Sequence, residues 1–83
     1  MGKVAIIFNV TLSDAKCNAE EVEREIKGIE GISDVKIEEI GFGVRVIKAL
    51  ALVDNPEEAN RIEERIRKIN NVSDVRAEST TLV

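Results

Sequence analysis

The sequence contains no histidine, tryptophan or tyrosine, and its single cysteine is Cys17. Catalytic triads that need histidine, zinc sites built from clustered Cys and His, and two-cysteine redox motifs are therefore excluded. Adjacent glutamates are frequent, but neighbouring positions on a helix or strand do not converge on one site, so paired-carboxylate catalysis is not expected. We expect a protein that is not an enzyme and that uses no metal and no cofactor.

An excess of basic residues is also missing. The chain has 12 Lys and Arg against 16 Asp and Glu, and its net charge is −4. This balance is opposite to that of a protein that binds a phosphate backbone. Phe8 and Phe42, the two aromatic residues, are too few to stack several bases. Direct binding of nucleic acid is not expected, and the lone cysteine fits a cytoplasmic protein.

Long apolar runs are absent as well. No stretch approaches the roughly 20 apolar residues of a membrane-spanning helix, and the first residues lack the small-residue cleavage site of a signal peptide. Hydrophobic residues make up 43% and charged residues 34% of the 83 positions, which is typical of a globular core. We expect one domain, residues 1–83, with no membrane contact.

The chain repeats itself at a spacing of 40 residues. When Val22 to Glu38 is aligned on Ile62 to Glu78, seven of the 17 pairs are identical. The same shift sets the apolar run Val4 to Leu12 on Val44 to Leu52, so the repeat covers a whole supersecondary unit. The domain is therefore expected to consist of two copies of one unit.

Each unit is predicted to be strand, helix, strand. Asn18 is a good N-cap for the first helix, and Asn55 followed by Pro56 is a strong start for the second. Strands one and three are more continuously apolar than strands two and four, which predicts that they lie in the centre of the sheet. The expected fold is an α+β, ferredoxin-like βαββαβ plait, a four-stranded antiparallel sheet with two helices on one face.

The other face of this sheet leaves two interpretations open. If Ile6, Phe8 and Val10 point at the helices, the opposite face carries a mild apolar patch. It would consist of Ala5, Ile7, Asn9 and Thr11 on strand one and Arg45, Ile47, Ala49 and Ala51 on strand three. These side chains are either scattered surface residues, or they form a partner surface that would support a weak homodimer.

The segment between strands two and three places Phe42 between two glycines. Gly41 and Gly43 free the backbone for a tight or left-handed turn, which leaves the ring projecting. A large apolar side chain on a loop tip is a natural anchor for a protein partner. The alternative is that the hairpin folds back and Phe42 covers the open end of the core.

The run Ile40-Gly41-Phe42-Gly43-Val44, followed by an apolar strand that ends at Val53-Asp54, resembles the Gly-Phe-Gly loop and third strand of a known family. The family is that of the guanine-nucleotide exchange domains of elongation factor 1-beta, in its short archaeal form. The chain length, the βαββαβ order and the turn Gly31 to Val35 are similar as well. The resemblance implies a role in translation elongation, in which the domain binds the GTPase elongation factor 1-alpha and promotes release of GDP.

The resemblance also implies site residues. It places Phe42 on the nucleotide-binding domain of the GTPase and a basic residue near the C-terminal end beside the Mg²⁺ and phosphate site. Here Thr81 stands at that second position, which leaves two alternatives. Either exchange relies on Phe42 and surface contacts, with Arg45 or Lys48 supplying a cation, or the exchange activity is weakened or altered. The implied partner-binding residues are Gly41, Phe42, Gly43, Arg45, Thr81 and Leu82. The alternative function is an ACT-like regulatory or dimerisation module on the same fold.

Overall fold

The computed structural model describes residues 3–13 and 18–82, and Cys17 lies outside these ranges. The strands are β1 (Val4–Leu12), β2 (Ile32–Gly41), β3 (Val44–Val53) and β4 (Val72–Leu82), and the helices are α1 (Ala19–Lys27) and α2 (Pro56–Arg67). Their order along the chain is β1-α1-β2-β3-α2-β4. Among these residues, no helix is long and apolar enough to cross a bilayer.

The four strands form one antiparallel sheet in the order β2-β3-β1-β4. The two apolar strands β1 and β3 are central, and the more polar β2 and β4 are the edges, as the sequence predicts. The ferredoxin-like fold is thereby confirmed. The edge strands are longer than the alternating segments around Val35 and Val75 indicate, and β4 extends to Leu82.

Both helices begin where their caps predict. The Asn18 side chain accepts a hydrogen bond from the Glu21 N–H at 3.2 Å, and the Asn55 side chain accepts one from the Glu58 N–H at 3.0 Å. These bonds satisfy N–H groups that have no partner inside the helix. Pro56 occupies the first position of α2, where an N–H is not needed.

The core lies between the helices and one face of the sheet. Both helices bury the apolar stripe that the repeat predicts, and the sheet contributes alternate residues of its central strands. The side chains at its centre are Phe8, Val10, Val22, Ile26, Ile47, Ile66 and Val75. The described chain has no buried charged side chain, so packing of aliphatic groups is the main source of stability.

The predicted orientation of β3 is wrong. Ile6, Phe8 and Val10 of β1 pair with Ala51, Ala49 and Ile47 of β3, and residues directly opposite in a sheet share a face. Ile47, Ala49 and Ala51 are accordingly fully buried under the helices. The side chains of β3 that share the open face with Ala5, Ile7, Asn9 and Thr11 are Val46, Lys48, Leu50 and Leu52. Arg45 also belongs to the helix side.

The second unit has a charged network at the end of α2. Arg67 lies 3.5 Å from Glu63 and 3.4 Å from Asp74, and Arg76 donates to Asp74 at 3.0 Å. The hydrogen bond from Arg76, supported by the Val75 N–H, lowers the pKa of the Asp74 carboxyl below its ordinary value. Arg67 also donates to the Val75 carbonyl at 2.9 Å, so one side chain joins α2 to β4.

Candidate partner-binding site

A two-residue turn joins β2 to β3. Gly41 and Val44 are the last pair of the ladder, and between them Phe42 and Gly43 have φ values of 52° and 76°. Two consecutive positive φ values are characteristic of a type I′ turn, whose twist matches that of the flanking strands. A Cβ built on Gly43 meets nothing within 4 Å, so glycine is needed there for its backbone conformation alone.

Phe42 is fully exposed at this turn, with a relative accessibility of 107%. The interpretation in which its ring covers the end of the core is therefore wrong. Its left-handed backbone conformation costs a non-glycine residue roughly 1–2 kcal/mol. An apolar ring held in water on a strained backbone opposes both stability and solubility, and this combination is typical of functional positions.

Two further apolar side chains flank the ring. Ile40 is 63% exposed and Val44 is 42% exposed. Ile40 is the extra residue of an irregularity between Glu39 and Gly41, where β2 has one residue more than β3. We call Ile40, Phe42 and Val44 the hairpin tip. Ile40 and Val44 are absent from the predicted site, although their spacing of two residues on either side of Phe42 was visible in the sequence.

The two proposed cationic helpers are each held by a carboxylate. Arg45 Nη1 lies 3.2 Å from Glu20 Oε1 at the start of α1, and Lys48 Nζ is hydrogen bonded to Glu78 Oε2 on β4. Exposed ion pairs of this kind are worth about 1 kcal/mol or less and exchange readily with water. Neither side chain therefore presents an uncommitted charge in this structure.

Thr81 and Leu82 lie at the other end of the sheet. They are exposed residues inside β4 and pair with Ala5 and Val4 at the start of β1. The hairpin adjoins the opposite end of β1, where Thr11 pairs with Val46. Val4 and Thr11 are seven positions apart along β1, or about 23 Å, and the hairpin extends farther beyond Thr11. The structure thus groups Gly41, Phe42, Gly43 and Arg45, and separates Thr81 and Leu82 from them.

A shallow cleft at the Thr81 end contains cations from other elements. It is lined by Lys3 before β1 and by Arg61 and Arg65 of α2, together with the carboxylates Glu30, Asp54 and Glu58. The Glu58 side chain accepts a hydrogen bond from the Asp54 N–H at 3.0 Å. The last residues of β4, from Ser79 to Leu82, include no cation, and the cleft, which contains no β4 residue, has as many carboxylates as cations.

Within residues 3–13 and 18–82, no three Cys, Asp or Glu side chains are grouped so that they could hold a metal ion. The two ends instead offer an exposed apolar tip and a mixed charged cleft. Neither end brings together a nucleophile with a base to activate it.

Comparison with known proteins identifies the same family that the Gly-Phe-Gly loop indicated. Residues 5–83 match the EF-1 guanine nucleotide exchange domain. The elongation factor 1-beta of Methanocorpusculum labreanum is 32% identical over 60 residues, which cover 71% of this chain and 70% of that protein. The resemblance drawn from the sequence is thereby confirmed.

A solved structure supports the fold independently. The ACT domain of the GTP pyrophosphokinase from Chlorobium tepidum superposes with a TM-score of 0.63 at 16% identity, covering 92% of this chain and 97% of that chain. At this identity the likeness concerns the fold alone. It carries no argument for the ACT-like function, which stays an untested alternative.

Proposed function

The chain belongs to the family of EF-1 guanine nucleotide exchange domains, and we propose that it is a cytoplasmic exchange factor that promotes GDP release from elongation factor 1-alpha. The family assigns it to translation elongation and to guanine-nucleotide exchange. The identity of the GTPase and the residues that contact it are the finer parts of the proposal. The observation that carries them is Phe42, a fully exposed ring in a two-residue turn with positive φ.

Exchange of this kind needs no covalent chemistry. A protein that binds the nucleotide-free GTPase more tightly than the GDP-bound form must weaken GDP binding by the same factor, because the two equilibria are linked. The chain therefore has only to hold a surface that fits the empty GTPase. A preformed hairpin does this with little loss of conformational entropy on binding.

Phe42 supplies the anchor in this proposal. Burial of a phenyl ring in a partner pocket removes about 150–250 Å² of apolar surface from water. Truncating such an anchor commonly weakens binding by 2 kcal/mol or more, which is roughly thirtyfold in affinity. The Arg45 guanidinium near the tip assists only if it leaves Glu20, and Thr81 contributes a hydroxyl in place of a charge.

The test is the release of a fluorescent GDP analogue from elongation factor 1-alpha of the same organism, with micromolar amounts of this protein. We expect faster release with the wild-type chain and with Phe42→Tyr, which keeps the ring, and little or none with Phe42→Asn. Asparagine suits a left-handed turn position, so a loss of activity would not result from unfolding. Equal activity of wild type and Phe42→Asn would remove Phe42 from the site.

No acceleration by the wild-type chain would overturn the proposed function itself. The choice of GTPase can be checked separately, because binding to nucleotide-free elongation factor 1-alpha without faster GDP release would indicate a binding module and not an exchange factor. Thr81→Lys belongs in the same series. The resemblance predicts that a cation at this position raises exchange.

A further inference from the structure

We propose that the hairpin tip docks in an apolar pocket of the partner whose rim is positively charged. Glu38 and Glu39 on β2 are then specificity residues, because their carboxylates pair with the charges of this rim. The inference rests on the proposed function, because the occupant of the tip is taken to be the GTPase. It adds the chemistry of the pocket and four residues, Glu38, Glu39, Ile40 and Val44, to the single ring considered so far.

The exposed apolar side chains of the protein are clustered at the hairpin tip. Four large hydrophobic residues of the described chain are markedly exposed, namely Ile40, Phe42, Val44 and Leu82, and three of these form the hairpin tip. The molecule is 42 Å long and 22 Å wide, and the tip lies toward one end of the sheet. Such a concentration at one place indicates a docking surface, because scattered apolar residues would not cluster in this way.

Two acidic side chains, Glu38 and Glu39, lie behind the hairpin tip. Glu39 pairs with Arg45 on the helix side of the hairpin, and Glu38 pairs with Val46 on the open side, so one carboxylate lies on each face. Both residues are exposed. The Arg45 guanidinium is turned toward Glu20, and among the described residues no cation lies within 4 Å of either carboxylate.

Docking of the hairpin tip in a pocket brings the rim of that pocket close to Glu38 and Glu39. Glu39 is three residues before Phe42, so it lies about 10 Å behind the turn along the strand. A pocket that encloses the ring and then meets Ile40 and Val44 brings its rim close to both carboxylates. A neutral or acidic rim would remove water from these carboxylates without supplying opposite charges or hydrogen bonds in its place, and this disfavours binding. A rim with Lys or Arg side chains satisfies them.

The same charges argue against a second copy as the occupant. Packing two tips against each other would bring four carboxylates together around an apolar contact, and like charges in such a contact repel. An anionic membrane surface is disfavoured for the same reason. A globular partner with a cationic rim is left as the occupant that fits both the apolar tip and its acidic surroundings.

The charge part is tested by the kinetics of binding to elongation factor 1-alpha at two salt concentrations. We expect Glu38→Gln/Glu39→Gln to slow association at low salt by about threefold to tenfold, with a smaller difference at high salt, because steering by charge is screened. The matched control is Glu25→Gln/Glu64→Gln, two exposed glutamates on the helices, which changes the net charge equally. An equal effect of both double variants would overturn the reading of the rim.

The apolar part is tested by Ile40→Thr and Val44→Thr, which keep a β-branched side chain in the strand. We expect each to raise the dissociation rate by about threefold or more, with unchanged thermal unfolding. Unchanged dissociation for both overturns this part.

If GDP release requires Phe42 but none of these four residues matters, the inference fails and the proposed function stands. Self-association of the wild-type chain that Phe42→Asn abolishes would identify a second copy as the occupant and overturn the inference.

Discussion

At the scale of single residues, Phe42 is the position where folding and function make opposite demands. The turn requires positive φ at two successive residues, and β-hairpins usually meet this requirement with Asn-Gly or Gly-Gly. Here the first residue is a phenylalanine with φ of 52°. Its ring is fully exposed, so no burial of the side chain offsets the backbone strain. A partner that buries the ring is a physical reason to retain it.

The first prediction follows from this conflict. Phe42→Asn is expected to raise the free energy of unfolding by about 0.5–1 kcal/mol, because asparagine tolerates the left-handed conformation better and no buried contact is lost. Urea unfolding followed by circular dichroism measures the change. Phe42→Ala, which removes the ring but keeps the strain, is the control and should show no such gain. A loss of stability in Phe42→Asn would mean that the ring packs on the protein.

The sequence predicted part of this geometry. Two glycines around an aromatic residue indicated a tight turn with a projecting side chain, and the structure agrees. They did not indicate that Phe42 itself would adopt positive φ, because either glycine could have supplied the left-handed residue in another register of the hairpin. The register depends on the pairing of Gly41 with Val44 and on the extra residue Ile40, which are properties of the assembled strands.

At the scale of elements, the 40-residue repeat is visible in the backbone. Each helix is followed by a turn in which a residue with positive φ precedes the next strand, and these residues are Gly31, with φ of 100°, and Asn71, with φ of 73°. They occupy equivalent positions of the two units. In each turn the N–H that opens the strand donates to the carbonyl of the repeated isoleucine, Ile29 or Ile69.

The second prediction uses this equivalence. Gly31→Ala is expected to lower the free energy of unfolding by about 1–2 kcal/mol, because alanine is strained at this φ and its Cβ would lie close to a buried side chain. That Cβ would be 2.8 Å from Ile62 Cδ1. Asn71→Ala at the equivalent turn is the matched control, and its loss should be clearly smaller. Equal losses in urea unfolding would show that the approach to Ile62 has no energetic weight.

The orientation of β3 shows where prediction from the sequence reached its limit. A strand buried on one face and partly covered on the other has no clean alternation, so Val44 to Val53 is apolar in both phases. Its phase is fixed by long-range pairing with β1, which puts the small Ala49 and Ala51 under the helices and the larger Leu50 and Leu52 on the open face. Helix caps and turns were predictable because they depend on neighbouring residues alone.

At the scale of the whole molecule, the predicted site divides into two. The resemblance implies the Gly-Phe-Gly loop and the C-terminal residues Thr81 and Leu82 as one set of site residues, because a sequence contains no distances. The strand register places them beyond opposite ends of the central strands: Leu52, which lies level with Thr81, is eight residues from Val44 at the hairpin, or about 26 Å. Any GTPase that contacts both must do so over most of the 42 Å length of this domain, and no side chain of the chain can take part in both contacts.

The third prediction is that the two ends act independently. Phe42→Leu should lower, and Thr81→Lys should raise, the efficiency of GDP release at subsaturating protein. Residues this far apart without shared partners usually have additive free energies within about 0.5 kcal/mol, so the double variant should show the product of the two factors. Leucine is used at position 42 because a partial loss keeps all four rates measurable. A deviation well beyond this margin would require the ends to communicate through the sheet or through the GTPase, and a double-mutant cycle in the binding step alone would distinguish these routes.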